Sequence, residues 1–320
     1  MKAPLVDPGI TRVGPADRWK YNVNTYSRTR QSGDMLQWGL LGTQLMTGFV
    51  IGARLFLVAV GLVVIFGVMD VLNFAHGALF MAGSYTAIAV AAATGSFAAG
   101  VVGAIVVVGV VGVAMETVFI RRVYERGHLD QLLMTFAFVL IITDGVRLVF
   151  GSGTKTIRAP ELFGFSVLGV PGYRAFIIVL AVSVLAGIFA VLRYTDVGRL
   201  VRATASDREM AALLGLDVPR LYTGVFFVGA ALAGIGGALV APLTSVTPAI
   251  GDRAVINAFV IAVIGGLGSF GGAFVGAMAV GVLSAVGSIW IAGSEDVVPF
   301  LAMAAVLVWK PEGLFGGLEG

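Results

Sequence analysis

Cysteine is absent, histidine occurs twice, and charged residues make up only 12% of the 320 positions. Without cysteine there are no disulfides, thiolate metal sites or cysteine nucleophiles, and two histidines leave little for a metal cluster. Charge at about half the ordinary globular share excludes a soluble domain. G-x-S-x-G, H-E-x-x-H and C-x-x-C are all missing, so enzyme chemistry has no seat. Gly151-Ser-Gly-Thr-Lys155-Thr156 has the glycines of a phosphate loop, but Thr154 stands where that motif needs glycine, and no nucleotide site follows. The net charge of +3 comes from loop arginines with no basic patch interleaved with aromatics, which gives nucleic acid no footprint.

What is present is apolar surface. Hydrophobic residues are 58% of the chain, glycine contributes 45 positions, and the mean hydropathy is +0.98. Such a chain is a polytopic membrane protein, and its glycines suit helices that approach closely or break within the bilayer.

Residues 1–35 are polar and unperiodic, with six Lys or Arg against three Asp. They carry no apolar core or cleavage site of a signal peptide and are expected to form a cytoplasmic N-terminal extension. Residues 36–310 form the transmembrane domain, and 311–320 a short tail. From Trp38 to Met69 the only charge is Arg54. As one helix this run would be about 48 Å long against a core of about 30 Å, so it should tilt steeply or break, with Gly52 and Arg54 marking the break. Counting that run as two passes gives about ten, within an all-α bundle of about 8–10 helices containing interrupted helices. Arg121, Arg122 and Arg126 read as an inside loop, as does 193–220.

The loop 193–220 is the one long charged run between apolar segments, with five Arg against four acids. Ser206-Asp207-Arg208-Glu209 reads as a capping box, in which the Ser206 hydroxyl accepts from the Glu209 amide and the Glu209 carboxylate reaches back. A two-turn helix through Met210, Ala211, Ala212, Leu213 and Leu214 should follow, ended by a left-handed Gly215. Met210, Leu213, Leu214 and Leu216 give it an apolar ridge. Such a helix fits another protein's groove, or else lies on lipid headgroups.

Two stretches break the helix code in a similar way: Asn73, Phe74, His76 and Gly77, then Gly265, Gly266, Gly268, Ser269, Gly271 and Gly272. Glycine-interrupted segments in the two halves of a membrane protein point to a transport path, because unwound backbone offers free polar groups to a solute. The competing reading is close helix packing at glycine, or a packed histidine at His76. Glu116, Asp144 and Arg147 are costly in lipid and are expected to pair within the protein.

Three blocks carry a resemblance. GLVVIFGVMDVLNFAHGALFMAGSYTA from Gly61, RATASDREMAALLGLDVPRLYTGVFFVGAALAGIGGAL from Arg202 and AFVIAVIGGLGSFGGAFVGA from Ala258 resemble, in order, the permease subunits of branched-chain amino acid ABC importers. Glu209, Ala211 and Gly215 match that family's version of the E-A-A-x-x-x-G coupling loop, and Met210 departs from it. The resemblance implies a short cytoplasmic coupling helix formed by Ser206 to Leu216 and no covalent chemistry in this chain. It also implies no cofactor here, with ATP and Mg in two partner ATPase subunits. A second permease subunit, expected to be a different chain, and an extracytoplasmic solute-binding protein would complete an importer in the bacterial inner membrane. Relatives resembling it serve branched-chain amino acids, urea, short amides or aromatic acids. A self-contained secondary transporter would need a carboxylate relay that the sequence does not display, and a scaffold or channel would need no ATPase.

Overall fold

The computed structural model describes residues 15–124, 126–167, 169–291 and 293–316, with side chains from residue 42 onward. The chain divides into two units, Met1–Gln44 and Leu45–Gly320. Part of the expected N-terminal extension, residues 1–14, lies outside the described residues.

Eleven helices account for nearly all of the described regular structure. They are α1 (Pro15–Met69), α2 (His76–Thr94), α3 (Phe97–Val118), α4 (His128–Phe150), α5 (Gly172–Tyr194), α6 (Asp196–Ser206), α7 (Arg208–Leu213), α8 (Val218–Val240), α9 (Ile250–Gly265), α10 (Phe270–Trp290) and α11 (Ser294–Trp309). The only paired strands described are two residues each, Ser166–Val167 and Val170–Pro171. Seven helical segments are long and apolar enough to cross a membrane, the first being Gly42–Met69. Helices α9 and α11, at 16 residues each, complete the alternation of direction although each is only about 24 Å long.

The expected break at Gly52 and Arg54 does not occur. Residues from Gly42 to Met69 form one unbroken segment, so the two passes expected there become one. Close packing replaces the break. Gly52 sits against the backbone of Ala277 and Met278, and Phe56 meets Phe274 edge-on with centroids 5.1 Å apart, so α10 supports α1 along this stretch. A segment of 28 residues, about 42 Å, exceeds a hydrocarbon core of about 30 Å, a mismatch that tilt accommodates.

Helices α1 and α8 form the axis of the bundle. In their apolar segments 78% and 72% of the best window is buried, against 17% for α4 and 11% for α5, which lie at the rim. Small residues make the axis possible. A side chain on Gly61 would strike the Gly229 carbonyl, and one on Gly237 the Phe80 carbonyl, so α1 and α2 pack directly on the α8 backbone.

The sides of the membrane follow from contacts between loops. Arg121, after α3, reaches Thr223 and the Pro219 carbonyl at the start of α8, which puts the arginine loop and α7 on one face. Lys155 and Val246 pair through their backbones on the opposite face. Helix α1 ends on the α7 face, because Gly67 packs on Gly268 and Gly268 shares a cavity with Arg202 and Ser206. A single pass therefore places Leu45 on the face opposite α7.

Candidate functional site

The presented helix starts one residue later than the sequence suggests. Ser206 is the last residue of α6, where its backbone is helical, and the extended residue is Asp207, with φ −153° and ψ 102°. An N-cap needs that extended backbone, so the Asp207 carboxylate accepts from the Met210 N–H at 2.9 Å and the Ser206–Glu209 capping box does not form. Gly215 turns left-handed at φ +86°, as expected, and the Leu216 N–H returns to the Ala211 carbonyl at 3.1 Å. Helix α6 went unread in the sequence although it carries a signal: Thr195 caps it, its hydroxyl accepting from the Gly198 N–H at 3.1 Å, and Asp196 follows in the first turn.

Helix α7 anchors itself through Ala211, which is buried, and presents the rest. Leu213 is 82% exposed, Leu214 75% and Met210 52%. Arg208, Glu209 and Ala212 line a recess of about 610 Å³ with Asp207, Tyr124, Val218, Pro219 and Tyr222. On the floor of this region the Tyr124 hydroxyl donates to Glu116 at 2.8 Å, and burial first, then that hydrogen bond, pushes its pKa upward. The tyrosine is therefore a fixed donor.

The first interrupted stretch runs at membrane depth. Asp70 ends α1 in the left-handed region at φ 53°, a conformation that aspartate tolerates. The chain then extends through Leu72 and Phe74, past Thr135 on α4, to Phe259, whose ring lies 4.9 Å from that of Phe74 and six residues, about 9 Å, before the end of α9. Asn73 and His76 are fully buried here. The Asn73 side-chain oxygen accepts from the Ala75 N–H at 3.0 Å, and His76 donates from Nε2 to the Val58 carbonyl at 2.8 Å, tying α2 to α1. Asn73 Nδ2 and His76 Nδ1 have no partner among the described residues. Gly77 lies against the Gly251 carbonyl.

The second stretch is a tight turn held from outside. Gly266 and Gly268 are left-handed at φ +97° and +88°, and the Ser269 hydroxyl accepts from the Gly272 N–H at 3.1 Å to cap α10. Gly265 and Gly272 pack on one another, so α9 and α10 nearly touch at their backbones. The tail completes the turn: Leu314 N–H donates to the Ile264 carbonyl at 2.9 Å and Phe315 N–H to the Gly265 carbonyl at 3.1 Å, satisfying the end of α9. Nothing periodic in the sequence announced this role for the tail.

Only part of the expected path reaches open space. Gly268 faces a cavity of about 880 Å³ shared with Gly67, Phe189, Arg193, Arg202, Ser206 and Phe270, and Gly271 comes near Phe189 on α5. A neighbouring cavity of about 590 Å³ shares Val68, Leu192, Val201 and Phe270 with it and is lined by Val64, Val184, Ile188, Leu221, Val225 and Leu232, with Arg220 at its edge. The sequence reading missed α5 and α6 as cavity walls, because a uniformly apolar helix gives no sign of which face is open. Asp144 and Arg147 pair at 3.0 Å, and Glu116 pairs with Arg121 at 3.1 Å, as expected.

Alternating apolar helices, a glycine turn beside two adjacent cavities, and an apolar helix presented on one face fit a multi-pass transport subunit. The chain belongs to the family described as branched-chain amino acid transport system / permease component, whose model matches residues 44–307. It is 33% identical over 296 residues to the high-affinity branched-chain amino acid transport system permease protein LivH of Escherichia coli K12, covering 86% of this chain and 96% of that one. It is 31% identical over 294 residues to the corresponding permease protein BraD of Pseudomonas aeruginosa, with the same coverage. A probable branched-chain amino acid transport permease of Methanocaldococcus jannaschii is 26% identical, covering 85% and 92% of the two chains. No solved structure matches. The chain is thus a multi-pass permease subunit of the inner, cytoplasmic membrane.

Proposed function

We propose that this permease passes branched-chain or similar hydrophobic amino acids across the membrane, driven by ATP hydrolysed in separate subunits. The observation that carries the reading is α7. Its exposed Leu213, Leu214 and Met210 stand on the face of the arginine-rich loops, which is the cytoplasmic face by charge. An apolar ridge of this kind seats in a partner's groove. Two ATPase subunits, a second permease subunit and an extracytoplasmic binding protein make up the proposed assembly. The second permease subunit would cover the exposed apolar faces of α4 and α5, among them Leu133, Leu140, Val179 and Val182.

The solute route runs through the two adjacent cavities, which share Val68, Leu192, Val201 and Phe270. Walls of Val, Leu, Ile and Phe suit an aliphatic side chain, which favours branched-chain amino acids over urea or short amides. Polar side chains, Arg193, Arg202 and Ser206, gather in the cavity nearer α7 and the other is almost wholly apolar, so selection rests mainly with the binding protein, and weak contacts along the apolar part let the solute leave as readily as it enters. Helix α6 forms one wall and leads directly into α7, so displacement of α7 by an ATPase would reshape the route. Co-purification of ATPase subunits from native membranes, with and without Leu213→Asp, tests the reading. Retention in the unmutated complex and release in the variant are expected, and equal retention would overturn the docking role.

A further inference from the structure

One buried charge is used neither by the solute route nor by α7 itself. Glu116, in the last turn of α3, is fully buried, and each of its oxygens accepts two hydrogen bonds. Oε1 accepts from Arg121 Nε at 3.1 Å and from the Tyr124 hydroxyl at 2.8 Å. Oε2 accepts from Arg121 Nη2 at 3.1 Å and from the Thr223 hydroxyl at 2.8 Å. Arg121 Nη2 reaches across to Thr223 Oγ1 at 2.6 Å and to the Pro219 carbonyl at 3.4 Å. A carboxylate with every acceptor position filled offers nothing to a passing solute. It joins three segments instead: the end of α3, the loop after it, and the first turns of α8.

The place of this knot matters. Tyr124 meets Tyr222 edge-on, with centroids 5.4 Å apart, and both rings line the recess beside α7 with Pro219, Glu209 and Ala212. Four residues, 214–217, separate α7 from α8. Above the knot α3 and α8 stay in close contact, since Gly109 and Gly112 of α3 pack on Phe227 and Ala230.

We propose that Glu116 is a positioning residue for coupling: it fastens the α3–α4 loop to the start of α8, so that a displacement of α7 moves α3 and α8 as one body. This rests on the reading of α7 as the ATPase-docking helix. The moving joint then lies between that body and α5–α6, where the cavities are. Thr223 and Arg121 share the task, and Tyr124 carries the connection to the wall of the recess.

The test uses the assembled complex in proteoliposomes. Glu116→Gln keeps the volume but turns an amide donor toward groups that are already donors, and solute moved per ATP hydrolysed should fall about tenfold or more while ATPase subunits stay bound. Thr223→Val, which removes one link between α3 and α8, should shift the same ratio in the same direction by less. Because the chain has no cysteine, spin labels can be placed at Arg122→Cys and Arg220→Cys alone. Their separation should be the same in the ATP-free and ATP-trapped states, and should differ between those states once Glu116→Gln is added. If Glu116→Gln fails to assemble, Thr223→Val and the label pair carry the test. An unchanged transport-to-hydrolysis ratio, or a label separation that changes without the Glu116 substitution, would overturn the proposal. Absence of any ATPase from the unmutated complex would overturn the docking reading instead, and is seen before any variant is made.

Discussion

Asp207 and Ser206 differ by one position and by one dihedral pair, and that difference decides which of them starts α7. Replacing Asp207 by Ala should cost about 1 kcal/mol of α7 order, roughly a fivefold loss in docked population, whereas Ser206→Ala should be close to neutral. ATPase retention under graded detergent washing measures both, and the reverse ranking would restore Ser206 as the cap. His76 has a similarly local account: its bond to the Val58 carbonyl holds the interrupted segment, so His76→Ala should slow uptake of leucine, isoleucine and valine alike. A changed order of preference among those solutes would place selectivity in this subunit.

At the scale of elements, the glycine turn between α9 and α10 leaves no room for substitution. Gly268 is left-handed and a Cβ there would lie 3.0 Å from the Gly67 Cα, so Gly268→Leu combines backbone strain with a push between α1 and the α9–α10 turn. Uptake should be abolished with the complex still assembled, and wild-type uptake would show that this turn is not part of the moving route. The two interrupted stretches were legible in the sequence because glycine, asparagine and histidine stand out against apolar arms. Their different characters were not. One is an irregular connection with a turn at Phe74 and Ala75 that buries Asn73 and His76, and the other is a tight turn closed by residues 314 and 315, a distant segment with no pattern of its own. Helix α6 carries the same kind of cap signal at Thr195, eleven residues before Ser206, but lies inside the charged loop and not in an apolar run.

For the whole molecule, composition revealed the class and the apolar runs revealed most of the passes. The count failed at one place. Trp38 to Met69 is too long for one relaxed span, and length alone does not say whether a helix tilts or breaks; Ala277, Met278 and Phe274 on α10 decide it by packing against α1. The consequence is testable, because one pass puts Leu45 at the outer end of a long helix, whereas a break at Gly52 and Arg54 would put it in the middle of a first pass. A single cysteine at Leu45 should react with a membrane-impermeant reagent applied from outside, and one at Leu213 only from inside. Failure of the Leu45 cysteine to react from either side would restore two passes before Met69, and the same experiment bears on the cytoplasmic placement expected for residues 1–35.

The most direct measurement is uptake of labelled leucine into proteoliposomes holding this permease with its co-purified ATPase subunits, second permease subunit and binding protein. Coupling through α7 predicts uptake that requires ATP, falls to background in Leu213→Asp, and is lost together with the ATPase subunits. Uptake that proceeds without ATP on an ion gradient, or that survives Leu213→Asp unchanged, would contradict an ATP-driven route coupled through this helix.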